Sequence, residues 1–285
     1  ATYVGFDPDR RELHTEASER GRRVIVDKAV VAEPDRTTAR FFLTANPTAS
    51  STLRPLEDAA APWLHAYRFG VVREVEVPAT TLGRALADAG LDRVDWLKLD
   101  TQGTDLRLLA SLDEPLLATV MAVDAEPGID PYYEGEDTFG ELHRWMVERG
   151  FWLADLELTE AVRLRAGTCE ATLRPRTKLD RRRLEFALKP SPVAVGPRYL
   201  RTLSWLDEAG APREDYLRLW ACGVAACSHP YALDGAVGCR VRQGDDPELI
   251  DLSVRRNRSD ARRGLWRLAR KVTPRNVRRF LTKPY

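Results

Sequence analysis

Through the first half of the chain, short apolar runs alternate with stretches in which leucines recur every three or four positions, the pattern of strands interleaved with helices. Residues 3–6 open with a strand pattern and 10–20 read as a helix. Residues 23–32 carry Val24, Ile25, Val26, Val30 and Val31, the β-branched content of a buried strand. Residues 40–45 are a further strand candidate, and Asn46-Pro47-Thr48-Ala49-Ser50-Ser51-Thr52 is a loop. The pattern then predicts a helix over 80–89, a strand over 94–99, a helix over 105–112, a strand over 119–124, a helix over 138–149 and a strand over 151–158. Such an order builds an α/β fold around a parallel sheet. Phe139, Leu142, Trp145 and Met146 share one face of the 138–149 helix and are assigned to packing.

One segment carries candidate chemistry. Val94 to Leu99 alternates apolar with polar residues and stops at Asp100; Thr101-Gln102-Gly103 turns, and Leu106, Leu108, Leu109 and Leu112 continue at helical spacing. An acid at the carboxyl end of a strand stands at the mouth of the sheet crevice, where α/β proteins bind ligands. Asp100 either faces that crevice or caps the following helix.

The flanks extend the pattern. Val75-Glu76-Val77 and Thr81-Leu82 precede Lys98-Leu99-Asp100-Thr101-Gln102-Gly103, with Asp105 beyond it. Ala122-Val123-Asp124-Ala125-Glu126-Pro127, Tyr132-Tyr133-Glu134-Gly135 and Gly150-Phe151 follow. In this order the pieces resemble the FkbM-type family of S-adenosylmethionine-dependent methyltransferases, over about residues 1–160, and they are specific in combination. The opening Tyr3-Val4-Gly5-Phe6-Asp7-Pro8-Asp9 is similar to that family's second strand.

The resemblance implies a Rossmann-like class I methyltransferase sheet with S-adenosyl-L-methionine as cofactor. Asp7 would hold the ribose hydroxyls, since a carboxylate accepts both hydroxyl hydrogens; alternatively it caps a helix before Pro8. Ser50 and Ser51 would face the cofactor or acceptor, or belong to a solvated connector. Asp100 would lie near the transferred methyl, and Glu126 or Asp124 would serve as base or as ligand to the acceptor hydroxyl. Tyr132, Tyr133 and Glu134 would shape the acceptor side. The implied reaction is O-methylation of a hydroxyl on a sugar, glycan or natural product. His65 and His143 have basic chemistry but no supporting motif: 63–69 reads as a surface connector, and His143 falls on a helix.

The family's first, central strand and its glycine-rich turn would precede Asp7, and the sequence starts at Ala1 without an initiator methionine, which suits a fragment or a processed product. The expected sheet therefore lacks its central strand, with a gap or a substitute between the strands at 3–6 and 94–99; hydrogen bonding between those two would contradict this. A competing reading makes the chain a catalytically silent or accessory acceptor-binding domain. The acids at Asp7, Asp100, Asp124 and Glu126 argue against it, because grouped carboxylates are costly to keep.

Beyond residue 160 the match fades. Residues 171–183 read as linker or surface, 185–188 as a last strand, and 199–206 and 213–226 as helices of a small extension, giving divisions of 1–160, 161–254 and 255–285. The net charge of +1 conceals an asymmetry. Residues 255–285 hold twelve Lys/Arg against Asp260 alone, so a tail of +11 joins a body of −10. Leu265, Trp266, Phe280 and Leu281 lie among those basic residues, which suits an anionic membrane surface; nonspecific nucleic-acid contact and cover for an acidic body are the other readings. No specific nucleic-acid motif is present. No apolar run approaches the ~20 residues of a membrane span and no secretory segment is visible, so a cytoplasmic protein, peripheral at the membrane, is expected. Cys169, Cys222, Cys227 and Cys239 lack zinc-type spacing and read as reduced thiols, with no metal site.

Overall fold

A computed structural model describes residues 1–8, 21–56, 63–244 and 247–272, with 242, 243 and 264–272 by backbone alone. The helix expected over 10–20 and the last part of the basic tail lie outside these residues. The fold is mixed α/β, and the chain divides into two compact units, Ala1–Arg201 and Thr202–Tyr285.

In the first unit, β1 (Thr2–Phe6) pairs in parallel with β2 (Arg22–Val26), Gly5 opposite Ile25. A second sheet has the order β3-β5-β4, from Ala29–Val30, Val71–Thr80 and Thr38–Thr44. The third has the order β6-β7-β9-β8, formed by Trp96–Lys98, Ala122–Asp124, Ser191–Arg201 and Phe151–Ala161. There β6 and β7 are parallel, with Leu97 opposite Val123, while β9 runs antiparallel to both of its neighbours. β1 and β6 belong to different sheets and do not pair with each other. The helices of this unit are α1 (Leu82–Asp88), α2 (Asp105–Ala110), α3 (Glu114–Thr119), α4 (Phe139–Glu148) and α5 (Lys178–Ala187), with short turns between them.

The expected strand over 23–32 divides at Asp27-Lys28, and its halves enter different sheets. Residues 185–187 are helical and Leu188 is the extended C-cap: Thr177 caps α5, its Oγ1 accepting from the Asp180 N–H at 3.1 Å while Asp180 accepts from the Thr177 N–H at 3.2 Å. Tyr199 to Arg201 are strand, and a helix begins only at Leu203, after Thr202 accepts from the Trp205 N–H at 3.2 Å. Tyr199 stays in the sheet because it faces Val123 on one side and Leu153 on the other and is wholly buried.

The main core collects Leu99, Leu108, Leu109, Val123, Leu142, Met146, Phe151 and Tyr199, with Phe6, Leu97 and Trp145 against it. Each such side chain contributes roughly 1.5–3 kcal/mol through burial. Arg201 closes this core. Its guanidinium lies 3.8 Å over the Phe151 ring and donates to the carbonyls of Leu117, Val120 and Arg149 at 2.7, 3.1 and 2.6 Å. Burial pulls its pKa below the ordinary range for arginine.

The second unit is helical, with α6 (Leu203–Glu208), α7 (Arg213–Ala225), α8 (His229–Gln243) and α9 (Pro247–Val272). Gly223 lets α7 approach α8, since a Cβ there would stand 3.2 Å from that of Ala232. Trp220 donates to Ser253 at 2.8 Å, and His229 pairs with Asp260. α9 runs without a break through the 254–255 boundary that charge composition predicts, and Arg255, Arg256, Arg258, Arg262 and Arg263 on it are exposed. Cys169, Cys222 and Cys239 are buried, Cys227 is exposed, and none of the four is in a disulfide. Among the described residues no helix is long and apolar enough to cross a membrane, and no cluster of three His, Cys, Asp or Glu is placed to hold a metal.

Candidate functional site

A cleft of about 810 Å³ opens where the ends of β1, β4, β6 and β7 come together. Asp7 follows β1, its N–H held by the Val26 carbonyl at 3.1 Å. Beyond β4 the chain makes a tight turn at Pro47–Ala49, and Ser50 Oγ accepts from the Thr44 N–H at 3.1 Å.

After β6 comes the turn that the sequence singles out. Gln102 at φ 54° and Gly103 at φ 105° take left-handed backbone, so the chain reverses within two residues of Asp100. The Gln102 amide donates to Asp100 Oδ1 at 2.9 Å. The Tyr133 hydroxyl donates to the Ala49 carbonyl at 2.8 Å and lies 3.4 Å from Gln102 Oε1, joining two loops of the cleft.

Two further carboxylates hold this geometry from behind. Asp105, 1% exposed, accepts from the Thr101 N–H and hydroxyl at 3.2 and 2.5 Å and from the Glu126 N–H at 2.8 Å, tying the ends of β6 and β7 together. Glu136 accepts from the N–H groups of Gly128, Tyr132 and Tyr133 at 3.2, 2.5 and 3.0 Å. It lies against two glycines: a Cβ at Gly103 would stand 3.1 Å from Glu136 Cγ, and one at Gly128 only 2.4 Å from Oε1. Burial raises the pKa of Asp105 and of Glu136 despite these hydrogen bonds. Burial, and then the neighbouring Asp100 charge, likewise raise that of Glu126, which pairs with Lys98 at 3.6 Å.

The cleft lining is both acidic and aromatic. Asp7, Asp100, Glu126, Glu136 and Glu160 supply its carboxylates, against Arg68; His65, Phe69, Tyr132 and Tyr133 supply its rings. Phe69 and Tyr132 stack at 5.1 Å, and His65 stands 5.9 Å from Tyr132 and 6.3 Å from Phe69. His65 therefore does not lie on a surface connector. Residues Leu64–Arg68 form a 3-10 helix, and Leu64 packs on Val162 and Cys169 with its N–H on the Leu164 carbonyl at 3.1 Å. Burial, followed by the charges of Arg68 and Arg163, lowers the His65 pKa to about 4, so the ring is neutral at pH 7.

Of the residues singled out by sequence, the cleft gathers Asp7, Ser50, Asp100, Glu126, Tyr132 and Tyr133. Three do not line it. Asp124 is held by the Arg198 guanidinium at 2.7 and 3.0 Å and by the Trp96 indole at 3.2 Å. Ser51 is fully buried, donating to the Gln102 carbonyl at 2.7 Å and accepting from the Leu53 N–H at 3.0 Å. Glu134 is exposed. His143 lies on α4, 3.1 Å from the Tyr199 hydroxyl, away from the cleft lining. Sequence reading missed Glu136 and Phe69, set His65 aside for want of a motif and gave Gln102 no role of its own. The only available signal for Glu136 was a second acid just after the tyrosine pair.

No curated protein and no solved structure matches this chain. Residues 2–153, which carry Asp7, Asp100 and Glu126, match the profile of the methyltransferase FkbM domain. That match spans more than half of the sequence, and the chain belongs to the FkbM methyltransferase family.

Proposed function

We propose that this chain transfers a methyl group from S-adenosyl-L-methionine to a hydroxyl oxygen of a sugar, glycan or natural product. The observation that carries the reading is the gathering of Asp7, Asp100 and Glu126 around one cleft that also holds Tyr132 and Tyr133. The donor set fits the cofactor: carboxylates suit ribose hydroxyls and a sulfonium charge, and about 810 Å³ lies within the range of small-molecule sites. When bound, the cofactor supplies a methyl group on a positively charged sulfur.

Asp7 would accept from the two ribose hydroxyls. Asp100, oriented by Gln102, would place its negative charge beside the sulfonium. In-line displacement requires mainly that the acceptor oxygen be aligned, which is the task of Tyr132 and Tyr133. Glu126 would take the hydroxyl proton, and its raised pKa favours that role over Asp124, whose carboxylate is saturated by Arg198 and Trp96.

Calorimetric titration of S-adenosylhomocysteine tests the reading. Saturable binding that Asp7→Ala weakens at least about tenfold, the loss of a charged hydrogen bond, is expected. A folded protein that takes up no heat would leave the acceptor-binding, non-catalytic alternative in its place. We also propose that the basic face of α9, with the residues beyond it, meets an anionic membrane surface, on the strength of its five exposed arginines.

A further inference from the structure

Helix α5 is apolar on two opposite sides. Leu184 and Leu188 turn inward against Leu64, Val162 and Cys169, so α5 backs the 3-10 helix that carries His65 and Arg68 along the cleft. Leu179 and Phe186 stand two turns apart on the other face and are 57% and 84% exposed. Phe186 is the most exposed large apolar side chain among the described residues. Seating a helix takes one apolar face, and the packing of α5 leaves the second unexplained.

Charge indicates what covers that second face. Residues 173–189 hold seven Lys/Arg against Asp180 and Glu185. Both acids are engaged within the fold. Asp180 accepts from the Thr177 N–H and lies 3.7 Å from Arg183, while Glu185 is on the inner side with one carboxylate oxygen buried. Glu170, just upstream, pairs with Arg181. Arg182 and Arg183 share the outer face with Leu179 and Phe186, and Leu173, Arg174, Arg176, Lys178 and Lys189 beside it are all exposed.

We infer that this face is an interfacial docking site through which the first unit lies on an anionic lipid surface. Phe186 and Leu179 enter the boundary between headgroups and acyl chains, and the basic side chains meet lipid phosphates, their stems covering apolar surface while their heads stay in water. Apolar and basic side chains interleaved on one face suit lipid better than nucleic acid, which would satisfy the arginines and leave Leu173 and Leu179 in water. The inference depends neither on the methyl-transfer reading nor on α9, which belongs to the other unit.

Co-sedimentation of the full chain, with the five exposed α9 arginines replaced by glutamine, tests this face by itself. The probes are vesicles of phosphatidylcholine with phosphatidylserine and vesicles of phosphatidylcholine alone. Binding to the phosphatidylserine vesicles is expected to persist, and to weaken about tenfold or more in Leu179→Ser/Phe186→Ser and likewise in Arg182→Gln/Arg183→Gln. All four residues are exposed, so the melting temperatures of both variants should match that of their parent, which separates lost docking from lost folding. A solvatochromic label at Phe186→Cys, with the exposed Cys227 changed to serine, should shift to the blue on those vesicles. Absence of vesicle binding in the α9-substituted chain overturns the proposal, as does equal binding by Leu179→Ser/Phe186→Ser. Binding of polyglutamate in place of vesicles, lost in Arg182→Gln/Arg183→Gln, would assign the face to an acidic protein and overturn it too.

Discussion

Glu136 shapes the cleft through backbone groups. Its carboxylate gathers three N–H donors from Gly128, Tyr132 and Tyr133, which fixes the bend that presents both tyrosines. Glu136→Ala leaves these donors unpaired and should cost about 2–4 kcal/mol in urea unfolding; a loss under about 0.5 kcal/mol would show that the bend holds itself. His65 makes a second prediction, with a definite sign. Its pKa falls from the ordinary 6.5 to about 4 on folding, so between those values the unfolded chain binds the extra proton and stability drops as pH falls. Between pH 6.5 and 5 this amounts to about 2 kcal/mol, with Arg68, Arg163 and the Tyr132 ring as the groups that face the imidazole. Glu126 and Glu136 act oppositely, since a raised carboxyl pKa lowers stability as pH rises through it. The difference between wild type and His65→Phe, followed by urea unfolding across this range, isolates the histidine; equal slopes would contradict its burial as a neutral ring. Asp100 was legible because strand periodicity locates a strand end and the residue standing there, whereas Asp7 and Glu126 took their roles from the family resemblance. His65 and Phe69 were not legible, because the ring that covers them, Tyr132, stands more than sixty residues further along the chain.

At the scale of elements, strong periodicity carried over. The 138–149 pattern is α4, where Glu141 accepts from the Thr138 N–H and hydroxyl at 2.9 and 2.7 Å, and Leu142 and Met146 turn into the core. Short apolar runs carried less. Residues 185–188 read as a strand, yet 185–187 are helical, because the Thr177 cap starts a helix just upstream and Phe186 lies exposed. The pairing of β8 with β9 was hidden for a related reason, since antiparallel partners thirty to fifty residues apart, Ala161 with Ser191 and Phe151 with Arg201, leave no local mark. Arg201 ends that pairing by binding three carbonyls from the α3–β7 region and the end of α4. Arg201→Ala should cost about 3–5 kcal/mol, by opening a cavity and releasing three charge-assisted hydrogen bonds. Thermal or urea unfolding checks this, and a change below about 1 kcal/mol would mean that the sheet edge does not depend on it.

For the whole molecule, the family assignment rests on the first unit, and the charge asymmetry is concentrated in the second. Five exposed arginines on α9 predict that co-sedimentation with vesicles containing phosphatidylserine falls as salt rises and falls further when they are replaced by glutamine. Vesicle binding unaffected by either change would dismiss the membrane surface as partner. The claim on which the rest depends is that the acids from separate strand ends form one cofactor site. A crystal structure with S-adenosylhomocysteine tests it most directly. The ribose hydroxyls are expected within hydrogen-bonding distance of Asp7 and the sulfur beside Asp100; the ligand bound elsewhere on the first unit, with this cleft empty, would overturn that claim.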